Sequence, residues 1–188
     1  MTMRALLAVA FLGVSSASVT AQENWSFSKD GGEVAFVARH FGIQTAAGRF
    51  GTVEGTFAFD FDRPERSRVR MTIQTGSLRT GADLVDGFIK GQTMLDVAHY
   101  PVASFVSQQV VRTGERSLSI SGQLTIRGAT QPVTVTAIAE SDPASVRAGG
   151  NLPFHASTSF SRAAFAIGRE VNIVDDQVEI DIKGAISR

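Results

Sequence analysis

The chain has 188 residues, of which 43% are hydrophobic, and it carries 18 basic and 18 acidic side chains. A net charge near zero, with the arginines scattered singly, excludes the basic surface that nucleic-acid-binding domains need. The sequence has no cysteine, which excludes disulfides, thiol chemistry and cysteine-bound metals.

The first 21 residues have the layout of a secretory signal peptide. Arg4 is their only charged residue, Ala5–Val14 is an almost unbroken apolar run, and small residues lead to Ala21. This run is too short for a membrane-spanning helix, which needs roughly 20 apolar residues. We therefore expect residues 1–21 to be cleaved on export and residues 22–188 to form a single periplasmic domain.

Alternation of apolar and polar residues dominates the remaining chain. This two-residue period with one polar face is typical of half-buried antiparallel strands. It predicts about eight strands, over residues 33–40, 53–61, 68–74, 103–111, 117–126, 133–137, 154–160 and 178–183. Clusters of turn-forming residues separate them, at 30–32, 62–65, 113–115 and 149–151.

One segment departs from the alternation. From Gly81 to Leu95 the apolar residues fall at helical spacing: Leu84, Val85, Phe88 and Ile89. This spacing predicts one or two short helical turns, which we expect to pack over an opening of the sheet structure. Periodicity fits a β-sandwich and a β-barrel equally well, because both have one buried and one exposed face on each strand.

Several short motifs occur in the order in which one bacterial family has them. They are Val34-Ala35-Phe36 with His40-Phe41-Gly42, Gly48-Arg49-Phe50 with Glu54-Gly55-Thr56, Ser77–Gly81, Tyr100-Pro101 with Ala103-Ser104-Phe105, Gly122–Val133, Ser161–Ile167 and Asp175–Ile180. On these residues the chain resembles the YceI-like family of envelope proteins, over nearly all of residues 22–188. The resemblance implies an all-β fold, an eight-stranded antiparallel lipocalin-like barrel, with a lengthwise apolar pore.

The ligands that the resemblance implies are polyisoprenoids, isoprenoid quinones or fatty-acid amides. Two segments depart from the family pattern. Thr93-Met94-Leu95 replaces an acidic residue followed by two aromatic residues, and Phe165-Ala166-Ile167 stands where Phe-Gly-Ile is common. The first departure changes the shape of the expected pore entrance.

Inward apolar residues and two polar residues near the pore mouth make up the predicted ligand-binding site. An apolar tail needs a lining with no hydrogen bonds to offer, and methionine adds adaptable surface. The candidates are Phe36, His40, Phe50, Phe57, Met71, Ile73, Leu84, Phe88, Met94, Phe105, Leu124, Val135, Phe160, Arg162, Phe165 and Ile167. Arg162 is a candidate for forked hydrogen bonds to a headgroup; the alternative is an ordinary ion pair with Asp86 or Asp176.

No catalytic or metal-binding motif occurs in the sequence, so we expect a carrier rather than an enzyme, with no cofactor except a bound long-chain lipid. Two alternatives stay open: a lipid-modifying enzyme that pairs His40 with Asp86, and a structural protein whose barrel is solid. The three histidines, His40, His99 and His155, lack close metal-ligand spacing. The expected partners are the lipid and, transiently, a membrane, but no nucleic acid. The oligomeric state stays open, with a dimer as one option.

Overall fold

The computed structural model of the chain describes residues 23–60, 62–143, 146 and 150–187. The predicted signal peptide, residues 1–21, lies outside the described residues, so its cleavage stays a prediction. No helix in the described part of the chain is long and apolar enough to cross a membrane.

The described residues form strands, short 3-10 turns and one helix. The strands are β1 Glu23–His40, β2 Ile43–Phe50, β3 Val53–Phe59, β4 Arg68–Gln74, β5 Leu78–Arg79, β6 Val102–Arg112, β7 Ser117–Ile126, β8 Ala129–Ala139, β9 Asn151–Ser161 and β10 Gln177–Ser187. Helix α1 spans Asp83–Lys90, and 3-10 turns span Pro64–Arg66, Thr75–Ser77 and Ala163–Phe165. The predicted helical segment therefore contains α1 at its centre.

These ten segments make eight barrel strands, because two pairs of segments are each one interrupted strand. Val34 of β1 pairs with Phe50 of β2, and Ser26 of β1 pairs with Thr56 of β3. β2 and β3 thus follow the same edge of β1, and β4 and β5 pair in turn with β3 and β2. β1 also pairs with β10, which closes the antiparallel sheet. The predicted eight-stranded antiparallel barrel is confirmed.

The alternation in the sequence places apolar side chains inside the barrel. On β1, Val34, Phe36 and Ala38 are buried, while Glu33 is exposed. The buried residues of the other strands form two connected clusters, one around Phe57 and Phe105 and a second under α1. Stability therefore rests on ordinary burial of apolar surface, as expected for a chain without disulfides.

Two local features differ from what the periodicity and turn residues indicated. The segment that forms β2 has no apolar alternation, because its middle consists of small and polar residues, so the sequence pattern did not identify a strand there. The turn predicted at residues 30–32 is a bulge inside the long strand β1, where Gly31 has φ +73° and the pairing with β10 shifts register. A bulge uses the same glycine chemistry as a turn, which explains the error.

The antiparallel order sorts the connections into two groups. The β1–β2 turn, the β5–β6 connection that contains α1, the β7–β8 turn and the β9–β10 connection share one end of the barrel, which we call the helix end. The β3–β4, β6–β7 and β8–β9 connections share the opposite end. This division matters because the two ends carry different chemistry.

Candidate functional site

An apolar cavity of about 500 Å³ occupies the interior of the barrel. Its wall includes inward side chains from β1, β3, β4, β6, β7, β8, β9 and β10, together with residues of α1. Its size lies within the range of about 300–1,000 Å³ that is usual for sites that enclose a small-molecule ligand. The described barrel is therefore hollow, in contrast to the alternative of a solid core.

Fourteen of the sixteen candidate residues lie on the wall of this cavity. They are Phe36, Phe50, Phe57, Met71, Ile73, Leu84, Phe88, Met94, Phe105, Leu124, Val135, Phe160, Arg162 and Ile167. The strand residues among them share the inward phase of the alternation, and Leu84 and Phe88 reach the cavity from α1. Whether these residues bind a ligand stays a prediction.

His40 and Phe165 do not lie on the cavity wall. Phe165 ends a 3-10 turn just after β9, which rotates its side chain out of the strand's alternation and buries it behind Phe160, with the ring centroids 5.2 Å apart. His40 is the last residue of β1, where its Nδ1 lies 3.3 Å from Oδ1 of Asp175 in the β9–β10 connection. Both residues support the edge of the site from outside.

The sequence reasoning missed other residues on the wall. Ala103, Ile120, Ala156, Ile180 and Ile182 also line the cavity. They occupy inward positions in the same alternation, so the signal was present. The prediction named only part of the inward set, such as Ile73 and Val135, and passed over alanines and isoleucines at equivalent positions.

The cavity wall changes character between the two ends of the barrel. At the helix end it includes Leu84, Val85 and Phe88, all of which are exposed to solvent, so the cavity reaches the surface between apolar side chains. At the opposite end it includes the exposed residues Arg112, Glu115 and Arg116, so the cavity also reaches the surface there, between charged side chains. We call the opening at the helix end the mouth. Among the described lining residues, the only other charged residue is Arg162, which lies at the helix end.

Arg162 does not offer free donors to a headgroup. Its Nε donates to the carbonyl of Asp175 at 3.0 Å, and its Nη2 donates to the carbonyls of Val171 and Val174 at 2.6 and 2.9 Å. Its Nη1 donates to the carbonyls of Ile167 and Gly168. Five backbone acceptors therefore occupy the five N–H groups of the guanidinium. Arg162 holds the connection 167–175 in place at the edge of the cavity, which corrects the prediction of a headgroup ligand.

Arg127 plays a similar part in the β7–β8 turn. Its Nη1 donates to the carbonyl of Ala166, and its Nη2 donates to the carbonyl of Gln92 at 3.1 Å. The backbone N–H of Gly168 donates to the carbonyl of Thr93 at 2.9 Å. These bonds join the segment after α1 to the connection between β9 and β10, so this part of the mouth is one hydrogen-bonded unit.

Two carboxylates anchor the same elements. Oδ1 of Asp86 on α1 accepts hydrogen bonds from the hydroxyl and the backbone N–H of Thr80, at 2.7 and 2.6 Å, and these bonds lower the pKa of Asp86. Oδ1 of Asp176 accepts from the backbone N–H of Ala163 at 2.9 Å. A hydrogen bond from the Ser161 hydroxyl, then that from Ala163, lowers the pKa of Asp176. Both groups are charged at neutral pH and tie α1 and the β9–β10 connection to the barrel.

The polar pair that an enzyme would need is not assembled. His40 lies beside Asp175, whereas Asp86 is held by Thr80. The other two histidines are bonded elsewhere. His99 is paired with Asp96, and His155 is paired with Asp181. The described residues include no group of three side chains that could hold a metal ion.

The departure at Phe165-Ala166-Ile167 has a visible backbone consequence. Ala166 has φ +56°, in the left-handed region, where glycine is the usual residue. Its carbonyl is the acceptor of the bond from Arg127, so the hydrogen bonds around the turn hold the less favourable conformation. At the other departure, Met94 packs close to Gly168 and also lines the cavity.

Comparison with known sequences identifies a family. The model of the YceI-like domain matches residues 25–186. A UPF0312 protein of Pseudomonas syringae pv. syringae is 34% identical over 134 residues, which cover 71% of this chain and 70% of that protein. A UPF0312 protein of Shewanella oneidensis is 29% identical over 149 residues, covering 79% of this chain and 78% of that protein.

Solved structures share the fold. BcnA of Burkholderia cenocepacia superposes with a TM-score of 0.73 at 25% identity, covering 84% of this chain and 96% of that one. A polyisoprenoid binding domain from Saccharophagus degradans superposes with a TM-score of 0.67 at 14% identity, covering 87% of this chain and 97% of that one. At these identities the likeness concerns the barrel, not its individual side chains.

Proposed function

The chain belongs to the YceI-like domain family, and we propose that it is a binding protein, not an enzyme, that encloses the tail of a long apolar lipid in its barrel. The lipid classes that fit are polyisoprenoids, isoprenoid quinones and fatty amides. The observation that carries the proposal is the apolar cavity of about 500 Å³ that reaches the surface between Leu84, Val85 and Phe88. The polyisoprenoid binding domain of the same fold supports the choice of ligand class.

The cavity volume sets a scale for the enclosed tail. A water molecule occupies roughly 30 Å³ in the liquid, and we take the same volume for one CH₂ group. On this basis the cavity holds on the order of 17 carbon atoms. That corresponds to about three prenyl units or one common fatty chain. A longer polyprenyl chain would extend beyond the mouth or require the cavity to widen.

Burial alone is sufficient for tight binding. At about 0.8 kcal/mol for each buried CH₂ group, such a tail contributes on the order of 14 kcal/mol before losses. Association and ordering cost an estimated 4–15 kcal/mol, so the net free energy is set by how well the cavity is preorganised. Specific polar contacts to the lipid are therefore not required. This agrees with the bonding of Arg162, whose N–H groups all donate to carbonyls of the protein itself.

We propose that the protein is exported to the periplasm. The support is the sequence of residues 1–21, with its single charge, apolar run and small residues before the cleavage position. A lipid with a long apolar tail needs a carrier in such an aqueous compartment, because its free concentration in water is very low. Sequencing the amino terminus of the protein isolated from its own cells tests the cleavage position.

The direct test is to identify what the protein carries. Protein purified from its own host without detergent should yield a long-chain lipid on solvent extraction and mass spectrometry, near one equivalent per chain. Protein that is folded and carries no lipid, and that also fails to take up the fluorescent fatty acid cis-parinaric acid, would contradict the proposal.

A cavity-filling variant links the lipid to the cavity. Ala103 is buried on the wall, so Ala103→Phe places a ring in the space that the tail occupies, and cis-parinaric acid binding should weaken by about tenfold or more. Ala35→Phe is the matched control, because Ala35 points away from the cavity on β1. Equal binding by the two variants, both folded by circular dichroism, would show that the tail lies elsewhere.

A further inference from the structure

Apolar side chains project into solvent around the cavity mouth. Six of them form what we call the apolar rim: Phe41, Ile43, Leu84, Val85, Phe88 and Ile173. Four of these are the most exposed large apolar residues in the described chain, at 92% for Leu84, 86% for Phe41, 73% for Ile43 and 68% for Ile173. Single exposed apolar residues are ordinary, but a cluster around an opening marks an interaction surface.

Three elements at the helix end carry the rim, and they are joined to one another. The backbone N–H of Phe41 is 3.4 Å from Oδ1 of Asp175, and the N–H of Asp175 donates to the carbonyl of Arg39 at 2.7 Å. The β1–β2 turn is therefore fixed to the connection that carries Ile173. Four of the six rim residues, Leu84, Val85 and Phe88 on α1 and Ile173, also line the cavity, so this part of the rim continues the cavity wall outward.

Phe41 is the rim residue whose presence the fold explains least. It occupies the first of two turn positions with positive φ, +50° for Phe41 and +79° for Gly42. This turn favours Asn-Gly or Asp-Gly, because a bulky residue is disfavoured in the left-handed region. Its ring lies against the imidazole of His40, with the ring centroids 4.2 Å apart and the planes tilted by 50°, and is otherwise directed to solvent. Neither turn geometry nor core packing calls for phenylalanine here.

Helix α1 shows the same feature. Ile89 and Asp86 are its buried residues, and they fix the helix to the barrel. Leu84, Val85 and Phe88 are left at the surface, in positions that a helix facing only water fills with polar residues. An apolar helix face next to an apolar opening fits the acyl boundary of a bilayer, where such helices lie in the interface.

We propose that the apolar rim docks on the surface of a phospholipid bilayer, so that a lipid tail passes between the membrane and the cavity without crossing water. This inference rests on the proposed function. The opposite end of the cavity supports the orientation, because Arg112, Glu115 and Arg116 line it there. Charges of both signs flank the rim, Asp83 and Asp175 with Arg39 and Lys90, so docking depends on apolar insertion and proceeds on neutral lipid.

The test separates docking from ligand binding by using rim residues that do not line the cavity. Phe41 and Ile43 meet this condition, so the variant is Phe41→Asn with Ile43→Thr, and both replacements suit the local backbone. The control is Val106→Thr with Val111→Thr, two exposed apolar residues on β6 that also lie outside the cavity wall. The probes are phosphatidylcholine vesicles and cis-parinaric acid, delivered either in the vesicles or directly from dilute solution.

We expect the rim variant to lose flotation with the vesicles and to take up cis-parinaric acid from them about tenfold more slowly. Its binding of cis-parinaric acid from solution should equal that of the unchanged protein and of the β6 control. Unchanged flotation and transfer in the rim variant would overturn the docking proposal, as would failure of the unchanged protein to float.

A second copy of the chain is the competing occupant of the rim. A dimer of the unchanged protein that becomes monomeric in the rim variant, with vesicle transfer unaffected, would also overturn the docking proposal. If instead no protein binds cis-parinaric acid from solution, the proposed lipid binding itself has failed, which the solution measurement detects independently of the vesicles.

Discussion

Two tight turns at the helix end have nearly the same backbone and opposite side-chain chemistry. In the β1–β2 turn, Phe41 and Gly42 have φ +50° and +79°; in the β7–β8 turn, Arg127 and Gly128 have φ +50° and +73°. Each turn therefore places a large residue in the left-handed region, which costs roughly 1–2 kcal/mol for such residues. Arg127 offsets that cost with hydrogen bonds to two carbonyls, whereas the ring of Phe41 is exposed.

The comparison divides the mouth of the cavity into a held side and a presented side. On the held side, Arg127 and Arg162 satisfy the carbonyls of the segments around the opening, and changes there should cost stability. On the presented side, Phe41 and the exposed face of α1 contribute little to folding, and changes there should affect function. The following predictions test this division.

The largest effect is expected for Arg162→Met. The change removes hydrogen bonds to five backbone carbonyls between residues 167 and 175, and it should lower the free energy of unfolding by about 3 kcal/mol or more. Urea denaturation measures the loss. Arg162→Lys keeps the charge but has only three donors, which lack the planar fork of the guanidinium. Its free energy of unfolding should lie between those of Arg162→Met and the unchanged protein. A loss below about 1 kcal/mol for Arg162→Met would show that these bonds do not hold the connection.

A smaller loss is expected for Arg127→Ala. It removes the bonds to Ala166 and Gln92, so the free energy of unfolding should fall by about 1–2 kcal/mol. Hydrogen exchange of the amides around Ala166 should accelerate, because their turn loses its brace across the mouth. Stability equal to that of the unchanged protein would mean that the left-handed Arg127 is not compensated by these bonds.

The smallest effect has the opposite sign and belongs to Phe41→Asn. Asparagine tolerates the left-handed region better than phenylalanine, and the ring lost is exposed, so the free energy of unfolding should rise by about 0.5–1 kcal/mol. Thermal unfolding of the single variant measures this shift. A substantial loss of stability would place Phe41 on the held side after all and remove the contrast between the two turns.

Much of the barrel could be predicted from sequence because its physical basis is local. Inward positions such as Phe57, Met71 and Phe105 follow from a two-residue period that a closed sheet enforces on every strand. The segment of β2 could not be predicted in this way, since its small and polar residues pair with β1 without burying a face. Its place is set by the neighbouring strands rather than by its own pattern.

The parts of the site that escaped prediction depend on the path of the chain between strands. The role of Arg162 follows from how the connection 167–175 folds back over its side chain, which no spacing in the sequence reveals. Phe165 is not on the cavity wall because it ends a 3-10 turn that interrupts the strand's alternation. The exposure of Phe41 and Leu84 also depends on which neighbours reach them, and sequence alone does not give those neighbours.

The central claim is that the barrel encloses an apolar tail along its axis. The most direct measurement is a crystal structure of the protein taken from its own host without detergent. We predict continuous tubular electron density through the cavity, from the mouth beside Leu84 past Phe105 toward Leu118. A cavity closed by the protein's own rings, with Phe57 and Phe105 packed across the axis, would contradict the account.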